Sequence, residues 1–159
     1  MKRCGKNDIA IGSELSGGIE NVYVWDCHFF DSWGINIKTA ETRGGYVRNV
    51  WVANSEVSSV TVRTRFACNN DGAGAKELTK LSDFHFENLL LQGIFTATYL
   101  KEPQLIPPIS IDGFAGKSEN AVQNVEFRNV KIMAKANGEM QEIKCRNVKN
   151  LMMDNVQFE

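Results

Sequence analysis

The side chains best suited to holding a charged ligand lie close together in this chain, at Asn36, Lys38 and Arg43. Residues 35–38 read Ile-Asn-Ile-Lys, and because side chains alternate across a strand, Asn36 and Lys38 are expected together on its outward face. The lysine is a compact point charge, and the amide beside it adds a donor, so the pair could hold a carboxylate without arginine's bidentate fork. Arg43 opens the glycine-rich stretch Arg43-Gly44-Gly45 and could add a second cation. A solvated strand lysine is the plain alternative. Other chemistries find less support. Cys4, Cys27, Cys68 and Cys145 form no C-x-x-C pair, so they are expected to be free, mostly buried thiols and neither a zinc site nor a redox motif. His28 and His85 fall at outward or turn positions and are expected at the surface, not as metal ligands. The stretch 69–71 has too few spaced oxygen ligands for calcium. No serine, cysteine or histidine constellation supports acyl transfer. No metal and no cofactor are expected.

The elements that must position these residues are written in a repeat. Five times an Asn or Asp is followed by an apolar residue at plus one and plus three and by a second Asn or Asp at plus five. The copies start at Asn21, Asn49, Asp83, Asn124 and Asn150 and close on Asp26, Asn54, Asn88, Asn129 and Asn155. The plus-one and plus-three residues are Val22 and Val24, Val50 and Val52, Phe84 and Phe86, Val125 and Phe127, and Leu151 and Met153, all apolar and so expected to face inward. Plus two and plus four are mixed and suit an outer surface. Asparagine tolerates left-handed backbone angles, so the plus-five residue is expected to turn a corner between two short strands, and stacked corners would form an asparagine ladder. Asp26 belongs to that set as a corner residue. Further short strands are expected at 9–11, 35–38, 60–63, 109–111 and 141–145; only 74–81 could pass for a turn of helix. Unequal spacing of the copies fits coils of one kind with loops of different length, hence an all-β parallel β-helix of about five coils in preference to a sandwich.

Composition narrows the partners. Eighteen basic and 19 acidic residues are spread evenly, with a net charge of −1, which gives no footprint for nucleic acid and no polybasic membrane patch. No apolar run approaches the roughly 18 residues that span a bilayer, and residues 1–8 are not a hydrophobic signal core. An apolar content of 43% can fill a core, and 159 residues make one domain, 1–159.

The order Ile9-Ala10-Ile11-Gly12-Ser13-Glu14-Leu15-Ser16-Gly17-Gly18, then Ile35-Asn36-Ile37-Lys38-Thr39, then Arg43-Gly44-Gly45-Tyr46-Val47-Arg48-Asn49-Val50 resembles the C-terminal half of the polygalacturonases, family 28 of the glycoside hydrolases. The resemblance implies a right-handed, single-stranded, pectin-lyase-like solenoid that hydrolyses α-1,4-galacturonan with inversion, and an acidic polysaccharide as partner. It is carried by 9–57 and is weaker from Val60 onward. The family's catalytic carboxylates, an Asn-Thr-Asp stretch and an Asp-Asp pair, precede the Gly-Ser-Glu turn and are not in this chain. Its Gly-His-Gly motif reads Gly5-Lys6-Asn7-Asp8 here, and its Arg-Ile-Lys motif reads Asn36-Ile37-Lys38, so only Lys38 of those two cations is present.

Inverting hydrolysis needs an acid and a base about 6.5–9.5 Å apart. The carboxylates nearby are Asp8, Glu14, Asp26, Asp31 and Glu41, of which Asp8 is the candidate for a replacement catalytic role. The expected reading is therefore a partial β-helix domain that binds uronate through Lys38, Asn36 and Arg43 and does not hydrolyse alone, with a non-catalytic acidic-glycan module or a structural remnant as the alternatives. Trp25, Trp33 and Trp51 could stack on sugar rings. Self-association through an exposed N-terminal coil, or an N-terminal segment that covers it, is expected. Family members are usually extracellular or periplasmic, which leaves the compartment open for a chain that starts without a signal peptide.

Overall fold

The computed structural model describes residues 9–65, 74–93, 95–97, 104–116, 118–133 and 142–159. Its strands in chain order are β1 (Ile9–Ile11), β2 (Ile19–Trp25), β3 (His28–Phe29), β4 (Ile35–Lys38), β5 (Tyr46–Val57), β6 (Val60–Arg63), β7 (Lys80–Leu91), β8 (Phe95–Ala97), β9 (Gln104–Ile106), β10 (Ile109–Asp112), β11 (Val122–Ile132), β12 (Ile143–Arg146) and β13 (Val148–Phe158). One turn of 3-10 helix, Ser118–Asn120, precedes β11. The fold is all-β.

Two parallel sheets hold nearly all of these strands. The first runs β1-β4-β6-β10-β12, and the second runs β13-β11-β7-β5-β2 with β3 also on β5. Strands β8 and β9 form a separate antiparallel pair. The chain passes from one sheet to the other and back, advancing one strand in each sheet on every circuit. Long crossovers are what parallel neighbours require, and here the second sheet supplies them.

The apolar phrase positions stack in register across the second sheet. Val22, Val50, Phe84, Val125 and Leu151 form one row, and Val24, Val52, Phe86, Phe127 and Met153 the next. The middle members are sealed: Val50, Phe84, Phe86 and Phe127 are fully buried, and the rings of Phe86 and Phe127 stack at 4.7 Å. Burying each such side chain stabilises the fold by about 1.5–3 kcal/mol. From the first sheet, Ile35, Ile37, Val60, Val62, Ile109 and Ile111 pack into the same core.

The outermost rows depart from the inward expectation. Leu151 and Met153 are 38% and 37% exposed, whereas Val22 and Val24 are half-buried. Strands β13 and β2 are the two edges of the second sheet, each paired on one side only among the described residues. Among the described residues of the second sheet, β13 is the more exposed edge, with Phe158 at 51%.

The corners also differ from expectation. In β5, β7, β11 and β13 the strand runs unbroken through both polar positions of the phrase; only the first copy is split, into β2 and β3. Both positions bend the backbone. The opening residues Asn21, Asn49, Asp83, Asn124 and Asn150 have φ of 53–60°, and the closing residues Asp26, Asn54, Asn88, Asn129 and Asn155 have φ of 49–54°. Two ladders result where one was expected. In the first, Asn49 Nδ2 donates to Asn21 Oδ1 at 2.6 Å, Asn124 to Asp83 at 2.7 Å and Asn150 to Asn124 at 2.9 Å. In the second, Asn88 donates to Asn54 at 3.1 Å, Asn129 to Asn88 at 3.2 Å and Asn155 to Asn129 at 2.9 Å. A short amide tolerates the left-handed angle and spans the strand spacing, which is why the position is Asn or Asp.

Smaller corrections follow the same packing. Residues 74–81 form no helix; bends lead into β7, which already holds Lys80 and Leu81. Strand β12 is Ile143–Arg146, and Gln141 of the expected strand lies outside the described residues. Cys27 and Cys145 are free and half-buried, and burial pushes the Cys145 thiol pKa up. Cys4, Cys68 and the loop 69–71 lie outside the described residues.

Candidate functional site

Strand β4 is the centre of the region picked out by residue type. It lies between β1 and β6, with Ala10, Asn36 and Thr61 in one register row. Past the end of β1 the chain turns through Gly12-Ser13-Glu14. Gly12 has φ of 94°, and a β-carbon there would overlap the Lys38 carbonyl oxygen, so only glycine lets this turn rest on the end of β4. The packing leaves an open cavity of about 320 Å³ lined by Gly12, Ser13, Glu14 and Lys38. A cation and a carboxylate therefore border one polar recess, with both side chains reaching solvent.

Asn36 does not share that exposure. It is 1% exposed, as is Thr61, whose Oγ1 donates to Asn36 Oδ1 at 3.1 Å. The expectation that Asn36 stands with Lys38 on an open face is corrected: the two share a face of β4, but the amide lies beneath other side chains. Arg63 stands in register with Lys38, two residues beyond Thr61, yet its guanidinium lies 4.5 Å from the centroid of the Trp33 ring before the strand. Trp33 itself is 5% exposed.

Arg43 is positioned by a different contact. The loop after β4 closes with the Arg43 N–H donating to the Ala40 carbonyl at 3.0 Å. Thr79 Oγ1 lies 3.2 and 3.0 Å from the carbonyl oxygens of Arg43 and Gly44, and 2.7 Å from Thr39 Oγ1. Thr79 has one hydroxyl proton to give those carbonyls, so Thr39 is the donor between the two hydroxyls. Gly45 follows with φ of 69°, and a β-carbon there would overlap the Leu15 carbonyl oxygen. The loop is thereby clamped between the Gly-Ser-Glu-Leu turn and the start of β7. The partly buried Arg43 is not part of the lining of the Lys38 recess. Asp8 lies outside the described residues.

The structure brings together residues that sequence spacing did not. Along the outer face of the first sheet, Lys38, Arg63, Asp112 and Arg146 occupy one register row. Asp112 receives Arg146 through both oxygens, Nε to Oδ1 at 3.2 Å and Nη2 to Oδ2 at 3.3 Å. The signal was a second repeat: Ile-Asn-Ile-Lys, Val-Thr-Val-Arg, Ile-Ser-Ile-Asp and Ile-Lys-Cys-Arg each end on a charge two residues after a polar one.

On the second sheet the aromatic residues divide. Trp25 is 61% exposed, while Trp51 stacks on His85 with centroids 4.0 Å apart and planes 13° apart. One face of Trp51 is therefore occupied by a neighbour. His85 Nδ1 lies 3.2 Å from Glu126 Oε2, and His28 Nδ1 lies 2.7 Å from Glu56 Oε2.

No known family model matches the chain. Over 45 residues, 28% of this chain, it is 51% identical to a probable polygalacturonase of Vitis vinifera. That stretch covers 9% of the plant protein's own length, so the chain is related to it over a short part only.

Proposed function

We propose that this chain is a set of coils from a right-handed parallel β-helix of the polygalacturonase kind, and that its role is to bind the uronate units of galacturonan at the outer face of its first sheet. Parallel crossovers are right-handed in nearly all folds, and the alternation between two parallel sheets suits about five such coils. The observation that carries the functional reading is the 51% identity to a probable polygalacturonase over 45 residues. It is supported by the recess where Lys38 stands beside Gly12, Ser13 and Glu14.

In this reading residues 1–159 are one partial domain, and Lys38 supplies the charge that meets a uronate carboxylate. Asn36, bonded to Thr61, holds the floor under the site instead of touching the sugar. Arg43 is a cation at the rim of the neighbouring loop. Hydrolysis requires an acid and a base set across the glycosidic bond, roughly 6.5–9.5 Å apart for inversion. The reading assigns the chain binding of the uronate carboxylate without bond cleavage.

The test is a titration of the purified chain with polygalacturonate and with a neutral galactan. Binding to the acidic polymer alone, weakened by added salt and lost in Lys38→Ala, is the expected result. Equal binding of both polymers, or unchanged affinity in Lys38→Ala, would overturn it. Release of reducing sugar from polygalacturonate would instead restore catalysis to the chain, with Asp8→Asn as the variant that identifies its acid or base.

A further inference from the structure

Both parallel sheets end at the same two places, at β1 and β2 on one side of the stack and at β12 and β13 on the other. In the first asparagine ladder every bond between coils runs one way, from the amide of the later coil to the oxygen of the earlier one. The ladder therefore has a donor end and an acceptor end. At β2, Asn21 takes part only as the acceptor from Asn49, so its Nδ2 donates to no described residue. At β13, Asn150 takes part only as the donor to Asn124, so its Oδ1 accepts from none. Elsewhere a ladder oxygen that the next coil leaves without a donor is taken by the side chain two residues along. Trp51 Nε1 donates to Asn49 Oδ1 at 2.7 Å where the next coil supplies Asp83, which has no amide, and Gln157 Nε2 donates to Asn155 Oδ1 at 2.5 Å. Asn150 has Met152 at that place, which carries no donor, so the group fitted to its oxygen is the amide of a further coil.

We infer that a second copy of this chain supplies that coil, with its β2 edge seated on the β13 edge of the first so that the stack continues head to tail. Three matches between the two ends carry this. Asn21 of the incoming copy brings its Nδ2 to Asn150 Oδ1 with the polarity of every other rung of the ladder. In that register Val22 and Val24 come over Leu151 and Met153 and extend both apolar rows, covering side chains that are 38% and 37% exposed. Glu20 then comes opposite Lys149, because the row that runs Glu20, Arg48, Ser82, Gln123 and Lys149 within one copy repeats in the next. Lys149 is exposed and in no ion pair among the described residues, whereas Glu20 is also exposed and meets Arg48 through Oε2. Opposite charges directly across a strand pair stabilise it, and the unpaired main-chain groups of the two edges add bonds at the strand spacing of about 4.8 Å. The second ladder takes no part, since Asp26 has no side-chain N–H to give when ionised. The contact joins two different surfaces, so each added copy leaves one edge of each kind open and assembly does not stop at two.

Sedimentation velocity of the purified full chain over a range of concentrations tests the assignment. The parent is expected to gain mass past two copies as concentration rises. Asn21→Asp keeps the oxygen that accepts from Asn49 and removes the amide that reaches Asn150, so it is expected to weaken association by about 10-fold or more while the circular dichroism of the single copy stays that of the parent. Lys149→Glu and Glu20→Lys should each associate more weakly than the parent, and an equal mixture of the two should recover, because every junction between unlike copies again joins opposite charges. A parent that stays monomeric throughout, or whose mass stops at two copies, would overturn the inference. So would association of Asn21→Asp at the parent's strength. Should Asn21→Asp fail to fold, the charge pair decides, and a mixture no stronger than either variant alone would refute the head-to-tail register.

Discussion

Replacing Asn129 isolates what the amide ladders contribute. This residue closes the fourth phrase in β11 with φ of 52°, donates to Asn88 Oδ1 at 3.2 Å and accepts from Asn155 Nδ2 at 2.9 Å. Alanine would keep the left-handed backbone without the side chain that tolerates it, a cost of about 1–2 kcal/mol. Both ladder bonds are solvent-exposed, and losing them adds about 0.5 kcal/mol each. Asn129→Ala is therefore expected to lose about 2–3 kcal/mol in urea unfolding followed by circular dichroism. Asn129→Gly loses the same bonds but occupies the left-handed region freely, so it should be more stable than the alanine variant by about 1 kcal/mol. That order reverses the usual ranking inside a strand, where glycine is the worse residue. Were the alanine variant as stable as the glycine one, the explanation by backbone angle would be refuted. Were both equal to the parent, the ladder would have no energetic role.

Phe127→Ala should cost about 3–5 kcal/mol in the same assay, while Met153→Ala, in the same register row but partly exposed on β13, should cost less than about 1 kcal/mol. Gly45→Ala should destabilise by at least about 1–3 kcal/mol, because its φ of 69° strains alanine and the added carbon meets the Leu15 carbonyl; an unchanged melting temperature would contradict that packing. Bonds from Ser82 and Asn124 hold the Asp83 carboxyl below its ordinary value of 3.8. Its folded pKa is thus below its unfolded one, so the unfolded state takes up the proton first on acidification. The stability from Asp83 is present above pH 3.8 and is lost as the pH falls below it through the folded value. Asp83→Asn should flatten that part of the pH–stability curve, and a difference curve between variant and parent checks it.

How much was legible depended on the range of the interaction. The inward rows could be read directly, because apolar residues at plus one and plus three have a strand's period and each of the ten was apolar. One corner could be read from asparagine chemistry. The other was missed because the opening residue of the phrase looks like any polar residue before a strand, and only its φ of 53–60° reveals the bend. The partial exposure of Lys38 could be read, since a lysine closing an alternating strand reaches solvent. Asn36 was misplaced because alternation tells which face a side chain takes and not what lies over that face. Arg63 went unconnected to Lys38 because pairing 25 residues apart leaves no local trace.

By itself, then, the amino-acid order determined the strands of the two parallel sheets, their inward and outward faces and the polar corner residues, though not the β8–β9 pair, since these follow from a period of two and from backbone angles that single residue types tolerate. The tertiary structure decided which outward residues meet. Register between parallel strands is set by closing a whole circuit, and the loops within a circuit vary in length. One residue of slip would turn each side chain to the opposite face, so the buried rows lock the register for every residue on the outer face as well. The neighbours of Lys38 on that face, Gly12 and Glu14 from one strand back and Arg63 from one strand forward, are products of that lock.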